Sequence, residues 1–308
     1  MSELYKVEQG RTISELCTLF GRSKQSYYKR IEQTYKKAVN EDIILQMVQK
    51  ERKLMPRIGG RKLHYLINLQ LDEQKQIGRD KLFSILEKHN LLIRRKRTRI
   101  RTTDSHHWLH KYPNLIKDFT ATKPNQLWVS DITYIKTKEG VVYLFLITDS
   151  YSKKIMGWKL ADNLKSENAV KALEMAIKQL PSAQINLIHH SDRGIQYCSS
   201  EYVKLLNKHS IKISMTQDGN PLDNAVAERI NGILKVEWLN AASLKSKHSA
   251  IFYLHKIIGI YNNNRPHLSL SMKTPNQIHS YAGSVVPKRL WKNYYRKPKI
   301  INEYESKI

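Results

Sequence analysis

Residues 124–135 read PNQLWVSDITYI, an apolar and β-branched run with a single carboxylate, Asp131, set in its middle. Trp, Val, Ile, Thr and Tyr favour a pleated, part-buried strand. Two similar runs follow closely, VVYLFLITDS (141–150) and KKIMGWKLA (153–161), the first joined to its predecessor across Lys138-Glu139-Gly140. Such short connections make antiparallel neighbours. Periodicity then alternates: a helix (SENAVKALEMAIKQL, ending before Pro181), a strand (QINLIHH), a helix (SEYVKLLNKH), a strand (IKISMT) and a last helix (DNAVAERINGILKVE, 223–237). Three antiparallel strands followed by strand–helix alternation predict an α/β unit, a mixed five-stranded sheet with flanking helices.

Asp131 has two counterparts downstream. Asp192 ends the strand that begins the alternation, and Glu228 lies in the first turns of the last helix, with thirty-five residues between them. Carboxylates so far apart converge only if the fold gathers strand ends and a helix start, and clustered hard oxygen donors are what Mg²⁺ or Mn²⁺ requires. That is the outline of a site binding two divalent ions for phosphoryl transfer. Asp149, at the end of the second strand, is the rival ligand. Asn231, Gly232 and Lys235 follow Glu228 at three, four and seven residues, hence on its face of the helix. Lys235 is placed to pair with a phosphate and Gly232 to let a backbone approach. Gly194 and Gln196, just past Asp192, are read as shaping the loop and touching nucleic acid, and Asn224 as the N-cap of the last helix. His189 and His190 are adjacent, so at most one faces Asp192, and we read them as packed side chains or as supporting partners just outside the site.

The segments PNQLWVSDITYI, HHSDRGIQY (189–197), DNAVAERINGILKVE and YNNNRPH (261–267) together resemble the signature blocks of the catalytic OrfB protein of the IS-three family of bacterial insertion-sequence transposases, within the retroviral integrase superfamily. The resemblance is strong over roughly residues 120–280 and looser upstream, through ISELCTLFGRSKQSYYKR (13–30) and IGGRKL (58–63). It implies a ribonuclease H-like catalytic core and a metal-dependent DNA transposase. Asp131, Asp192 and Glu228 would be its catalytic and metal-binding residues, holding two Mg²⁺ or Mn²⁺ ions. Water would first free a 3′-OH at the element end, and that 3′-OH would then attack another phosphodiester. The resemblance also implies binding of terminal inverted repeats and target DNA as at least a dimer, a DNA contact from Arg265 in the YNNNRPH block, and a small upstream helix-turn-helix partner protein. A non-catalytic DNA-binding relic and another nuclease on the same fold are the competing readings.

Composition agrees with a polyanionic partner. The formal net charge is +26, and it is uneven: 26 Lys/Arg against 13 Asp/Glu in residues 1–120, 15 against 12 in 121–240, and 12 against 2 thereafter. A nearly neutral middle between two basic arms describes a catalytic unit held on double-stranded DNA by its neighbours. Residues 12–32 read as a helix-turn-helix, with Thr12 and Glu15 as a capping box, Gly21 in the turn and Ser23 capping a second helix that presents Gln25, Lys29 and Arg30 to DNA. Three more helical stretches over 41–90 predict a second, winged-helix-like DNA-binding unit. The division expected is 1–38, 39–92, a basic linker 93–122 carrying Arg94, Arg95, Lys96 and Arg97 on phosphates, the core 123–280, and a basic aromatic tail 281–308. Two cysteines, Cys17 and Cys198, cannot build a disulfide framework, and no apolar stretch reaches a membrane-spanning length of roughly 18 residues, so a cytoplasmic, nucleoid-associated protein is expected.

Overall fold

A computed structural model of the chain describes residues 12–93, 109–181, 186–217 and 224–280. The described residues fall into two units, 12–54 with 58–93 as one, and 55–57 with those from 109 to 280 as the other.

The first unit is helical. Helix α1 (Ile13–Leu19) opens with the capping box: Glu15 N–H donates to Thr12 Oγ1 at 3.3 Å and Thr12 N–H to Glu15 Oε2 at 2.8 Å. Gly21 takes φ +60, a left-handed turn that glycine tolerates freely. Ser23 Oγ accepts from Ser26 N–H at the start of α2 (Lys24–Leu54). This helix runs unbroken through 38/39, where a unit boundary was expected. No Gly or Pro interrupts residues 24–54, so nothing in the sequence ends it there. Its Ile44 and Val48 are buried, as are Leu63 and Ile67 of α3 (Gly60–Asn68) and Leu82 and Leu86 of α4 (Arg79–Lys88), and α2 packs on α3 and α3 on α4. A Cβ on Gly60 would lie 2.7 Å from Phe83 Cζ, so glycine sets the close approach of α3 to α4. Glu41 accepts from Lys88 Nζ at 2.7 Å and bonds His89 Nε2 at 2.6 Å, tying α2 to the end of α4. Among the described residues of this unit no strand forms.

The second unit is built on the predicted sheet. Strands β1 (Leu127–Thr137), β2 (Gly140–Asp149), β3 (Ile155–Ala161), β4 (Ile188–Ser191) and β5 (Lys212–Met215) lie in the order β3-β2-β1-β4-β5. The first three pair antiparallel, and β1/β4 and β4/β5 pair parallel. Gly140 closes the β1–β2 turn at φ +136. Helices α5 (Ser166–Ile177), α6 (Ile195–Cys198), α7 (Ser200–Lys208), α8 (Ala225–Glu237), α9 (Lys247–Asn263) and α10 (Pro275–His279) flank or follow the sheet.

Alternation along β1 decides which residue meets which layer. Trp128 points into the main core with Phe145, Met156, Leu173, Tyr202 and Leu206, beneath α5 and α7. Leu127 and Val129 point the other way, into a smaller cluster with Ile188 and Ala227 of α8. Asp131 shares the parity of Leu127 and Val129 and so lies on the face that α8 covers. Gly157 permits the tight contact of β3 with α5, where a Cβ would meet Ala172 O at 2.1 Å. Among the described residues no helix is long and apolar enough to cross a membrane.

Candidate active site

The register brings two of the three carboxylates together. Leu127 pairs with Ile188 and Val129 with His190 in the parallel β1/β4 ladder; continued two residues further, the register sets Asp131 beside Asp192, just past the end of β4. The third, Glu228, sits exposed in the first turn of α8, where the helix dipole favours negative charge. Each aspartate is fixed by hydrogen bonds. Asp131 Oδ1 accepts from Ile132 N–H at 2.9 Å and Oδ2 from Asn231 Nδ2 at 2.8 Å, while Asp192 Oδ1 accepts from Gly194 N–H at 3.0 Å.

Burial, with the negative charge of Asp192 next and that of Glu228 last, pushes the Asp131 carboxyl up to about 7, against the pull of the Asn231 and Ile132 hydrogen bonds. This coupling places all three carboxylates in one electrostatic neighbourhood. The donor set fits a divalent cation: hard oxygens crowded enough that one resists ionising, with the buried Asn231 Oδ1 beside them and without a hydrogen-bond partner among the described residues. The three do not close into a compact metal cluster among the described residues, Glu228 standing out toward solvent.

The shift has a stability consequence. An Asp whose folded pKa is about 7, against roughly 4 unfolded, stabilises the fold through its protonated form. That contribution is complete below about pH 4 and is lost as pH rises through 7. Metal-free Asp131→Asn should therefore gain stability over wild type between pH 4 and 7.5, by on the order of 1–3 kcal/mol. Urea unfolding across that range measures it, and a gap that does not change with pH would contradict the assignment.

Models of the integrase core domain match residues 121–221 and, for a second such model, 209–275. A 31 kDa uncharacterized protein of insertion element IS600 from Shigella sonnei is 36% identical over 266 residues, which are 84% of this chain and 96% of that protein. Transposase InsF for insertion sequence IS3A of Escherichia coli is 38% identical over 142 residues, 46% of this chain and 49% of InsF. The chain belongs to the IS-three family of insertion-sequence transposases. Another transposase, that of IS904 from Lactococcus lactis, is 38% identical over 172 residues, 55% of this chain and 67% of its own. The five-stranded sheet with its flanking helices is the integrase core. Among solved structures, the HTLV-2 integrase catalytic core domain in complex with magnesium is 24% identical, covering 52% of this chain and 99% of that one at a TM-score of 0.42.

In this transposase the remaining expected site residues fare differently. Gln25, Lys29 and Arg30 are exposed on α2. Lys235 is half-buried, its Nζ 4.1 Å from the centroid of the Tyr134 ring, and burial lowers its pKa while Asp131 opposes the shift. Gly232 faces open space. Arg94, Arg95, Lys96 and Arg97, together with the tail 281–308, lie outside the described residues.

Three expectations need correction. Arg265, expected on DNA, is 2% exposed and its guanidinium forms a two-pronged pair with Glu237, Nε to Oε2 at 2.7 Å and Nη2 to Oε1 at 2.6 Å. Gln196 is buried, its amide donating to Leu164 O at 2.9 Å, so its donor is engaged within the protein. Asn224 does not cap α8 through its side chain; Nδ2 donates instead to Ser130 O at 2.9 Å. Asp149, the rival ligand, is fully buried and saturated. Oδ2 accepts from Asn125 N–H at 2.7 Å, and Oδ1 from the N–H and hydroxyl of Ser152, both at 2.7 Å. It fastens the β2–β3 turn and has no free face for a metal. His189 and His190 are buried against Ser130 and Ser214, as packed histidines.

Proposed function

We propose that this chain is a DNA transposase that cleaves the ends of an insertion sequence and joins the freed 3′-OH to target DNA, using Asp131, Asp192 and Glu228 on two divalent cations. The observation that carries the reading is the β1/β4 register that sets Asp131 beside Asp192, with the Glu228 helix hydrogen-bonded to Asp131 through Asn231, in an integrase core. Asp131 and Asp192, with Glu228 from the helix, would hold Mg²⁺ or Mn²⁺, which when bound activates the attacking oxygen and stabilises the leaving 3′ oxygen. The protein's own part is placement. Asn231 and Ile132 N–H fix both oxygens of Asp131, Gly194 N–H orients Asp192, and Lys235 sits beside Asp131 on the face where a phosphate would lie. No serine or tyrosine nucleophile is required. One site per chain and two element ends call for at least a dimer on DNA.

The test is incubation of the purified protein with a duplex carrying one element end and its flank, with Mg²⁺ or Mn²⁺. Nicking at the 3′ end of the element, dependent on metal, is expected. Binding without nicking under any divalent ion would favour the DNA-binding relic instead.

End recognition is assigned to the helical unit. A helix in the major groove reads bases through side chains such as Gln25, Lys29 and Arg30, each good contact contributing about 1–3 kcal/mol of discrimination. The full-length triple variant Gln25→Ala, Lys29→Ala, Arg30→Ala should bind random DNA nearly as wild type does and lose at least about tenfold in preference for the terminal repeat. Competition gel shifts measure this; an undiminished preference would move recognition elsewhere.

A further inference from the structure

Asp131 is preceded by a residue that its strand has no packing reason to contain. Ser130 points away from the carboxylates, is fully buried, and interrupts the run QLWV that the apolar core would extend. A buried hydroxyl costs free energy unless it is hydrogen-bonded, so a polar group here asks for partners. Those partners lead to the other two carboxylates. Ser130 Oγ lies 2.6 Å from His189 Nε2, which also bonds the Tyr202 hydroxyl at 2.9 Å. His189 is on β4, three residues before Asp192. The carbonyl of the same serine accepts from Asn224 Nδ2 at 2.9 Å. Asn224 is 6% exposed and starts α8, and its own carbonyl accepts Glu228 N–H at 3.1 Å, one turn on.

One residue therefore touches each of the three elements that carry a carboxylate. Asn224, Glu228 and Asn231 are spaced i, i+4 and i+7, so they share one face of α8. The helix is pinned to β1 on either side of Glu228, by Asn224 on the Ser130 carbonyl and by Asn231 on the Asp131 carboxylate.

We propose that Ser130, with Asn224 and His189, is a positioning joint that sets the mutual placement of Asp131, Asp192 and Glu228 for metal binding. The inference rests on the proposed metal-dependent function of that site. Backbone pairing already aligns β1 with β4, but α8 has no ladder to align it. Its first turn is located by side-chain hydrogen bonds, and a shift of a fraction of an ångström there moves Glu228 relative to the aspartates. Mg²⁺ is demanding of octahedral geometry, so loosened placement is felt first as lost metal affinity. Removing outer partners of metal ligands typically weakens metal affinity or activity about 10–100-fold.

The experiment compares full-length wild type, Ser130→Ala and Asn224→Ala. Mn²⁺ binding is followed by calorimetry without DNA, terminal-repeat binding by gel shift, melting temperature by fluorescence, and nicking at saturating DNA. Asn224→Ala should bind Mn²⁺ at least about tenfold more weakly, nick correspondingly slowly, recover partly at high Mn²⁺, and bind DNA as wild type does; Ser130→Ala, which keeps the carbonyl that Asn224 bonds and loses only the His189 contact, should show a smaller loss of the same kind. A role in folding alone would lower the melting temperature and leave the Mn²⁺ affinity of the folded protein unchanged. Wild-type metal affinity in folded Asn224→Ala overturns the proposal, and so does failure of both variants to fold. If wild type itself neither binds Mn²⁺ nor nicks DNA, the proposed function fails and takes the joint with it.

Discussion

Asp131→Asn, Asp192→Asn and Glu228→Gln are each expected to abolish strand cleavage and strand transfer, by on the order of a thousandfold or more, with binding of the element end nearly unchanged. Each substitution replaces an ionisable oxygen donor at almost constant shape, so the fold and the basic surfaces are preserved while the charge that holds the cation is removed. Asp131 should be the most sensitive of the three, because its side chain is the one hydrogen-bonded to α8 through Asn231 and crowded by both other carboxylates. Cleavage rates on an end duplex in Mg²⁺ and in Mn²⁺, with gel shifts on the same preparations, measure both halves of the expectation. Near-wild-type cleavage by any one variant would remove that residue from the site. Asp149 is no substitute candidate, since both its oxygens are committed to Asn125 and Ser152, and Asp149→Asn should unsettle the β2–β3 turn and lower stability.

The contrast between Asp131 and Asp149 shows what the sequence could and could not reveal. Both are single acids at the polar side of an apolar strand, and composition does not separate them. What separates them is parity and register. Asp131 faces α8 and stands beside Asp192, whereas Asp149 pairs opposite Trp128 and is folded into its own turn. The strand and helix order was legible because period-two and helical patterns are strong between residues 124 and 237. The continuous α2 was not, because an exposed helix of polar residues carries little periodicity across 28–40, and only the lack of Gly or Pro betrayed it. Asn224 looked like a cap because Asn before a helix usually is one. Its bond to Ser130, 94 residues away, is a tertiary fact with no local signature.

Arg265 is likewise placed by a distant partner with no local signature. In YNNNRPH it stands among polar residues in a basic C-terminal region, which is how an exposed phosphate-binding arginine reads. Its partner Glu237 lies 28 residues earlier, at the end of α8. The pair is buried, and His267 Nε2 adds a contact to Arg265 Nη1 at 2.9 Å, so the segment after α9 is fastened to the end of the helix that carries Glu228. Removing one partner of a buried pair strands the other charge, at a cost of about 3–5 kcal/mol. Arg265→Ala should therefore lower the melting temperature by roughly 10 °C, with the salt dependence of DNA binding unchanged. A DNA-contacting arginine predicts the opposite result, a stable protein whose log–log salt slope falls by about 0.9. The double variant Glu237→Leu, Arg265→Met should recover much of the lost stability, because replacing both charges with apolar groups of similar volume leaves nothing buried and unpaired. If the double variant is no more stable than Arg265→Ala, the ion pair is not what holds this corner together.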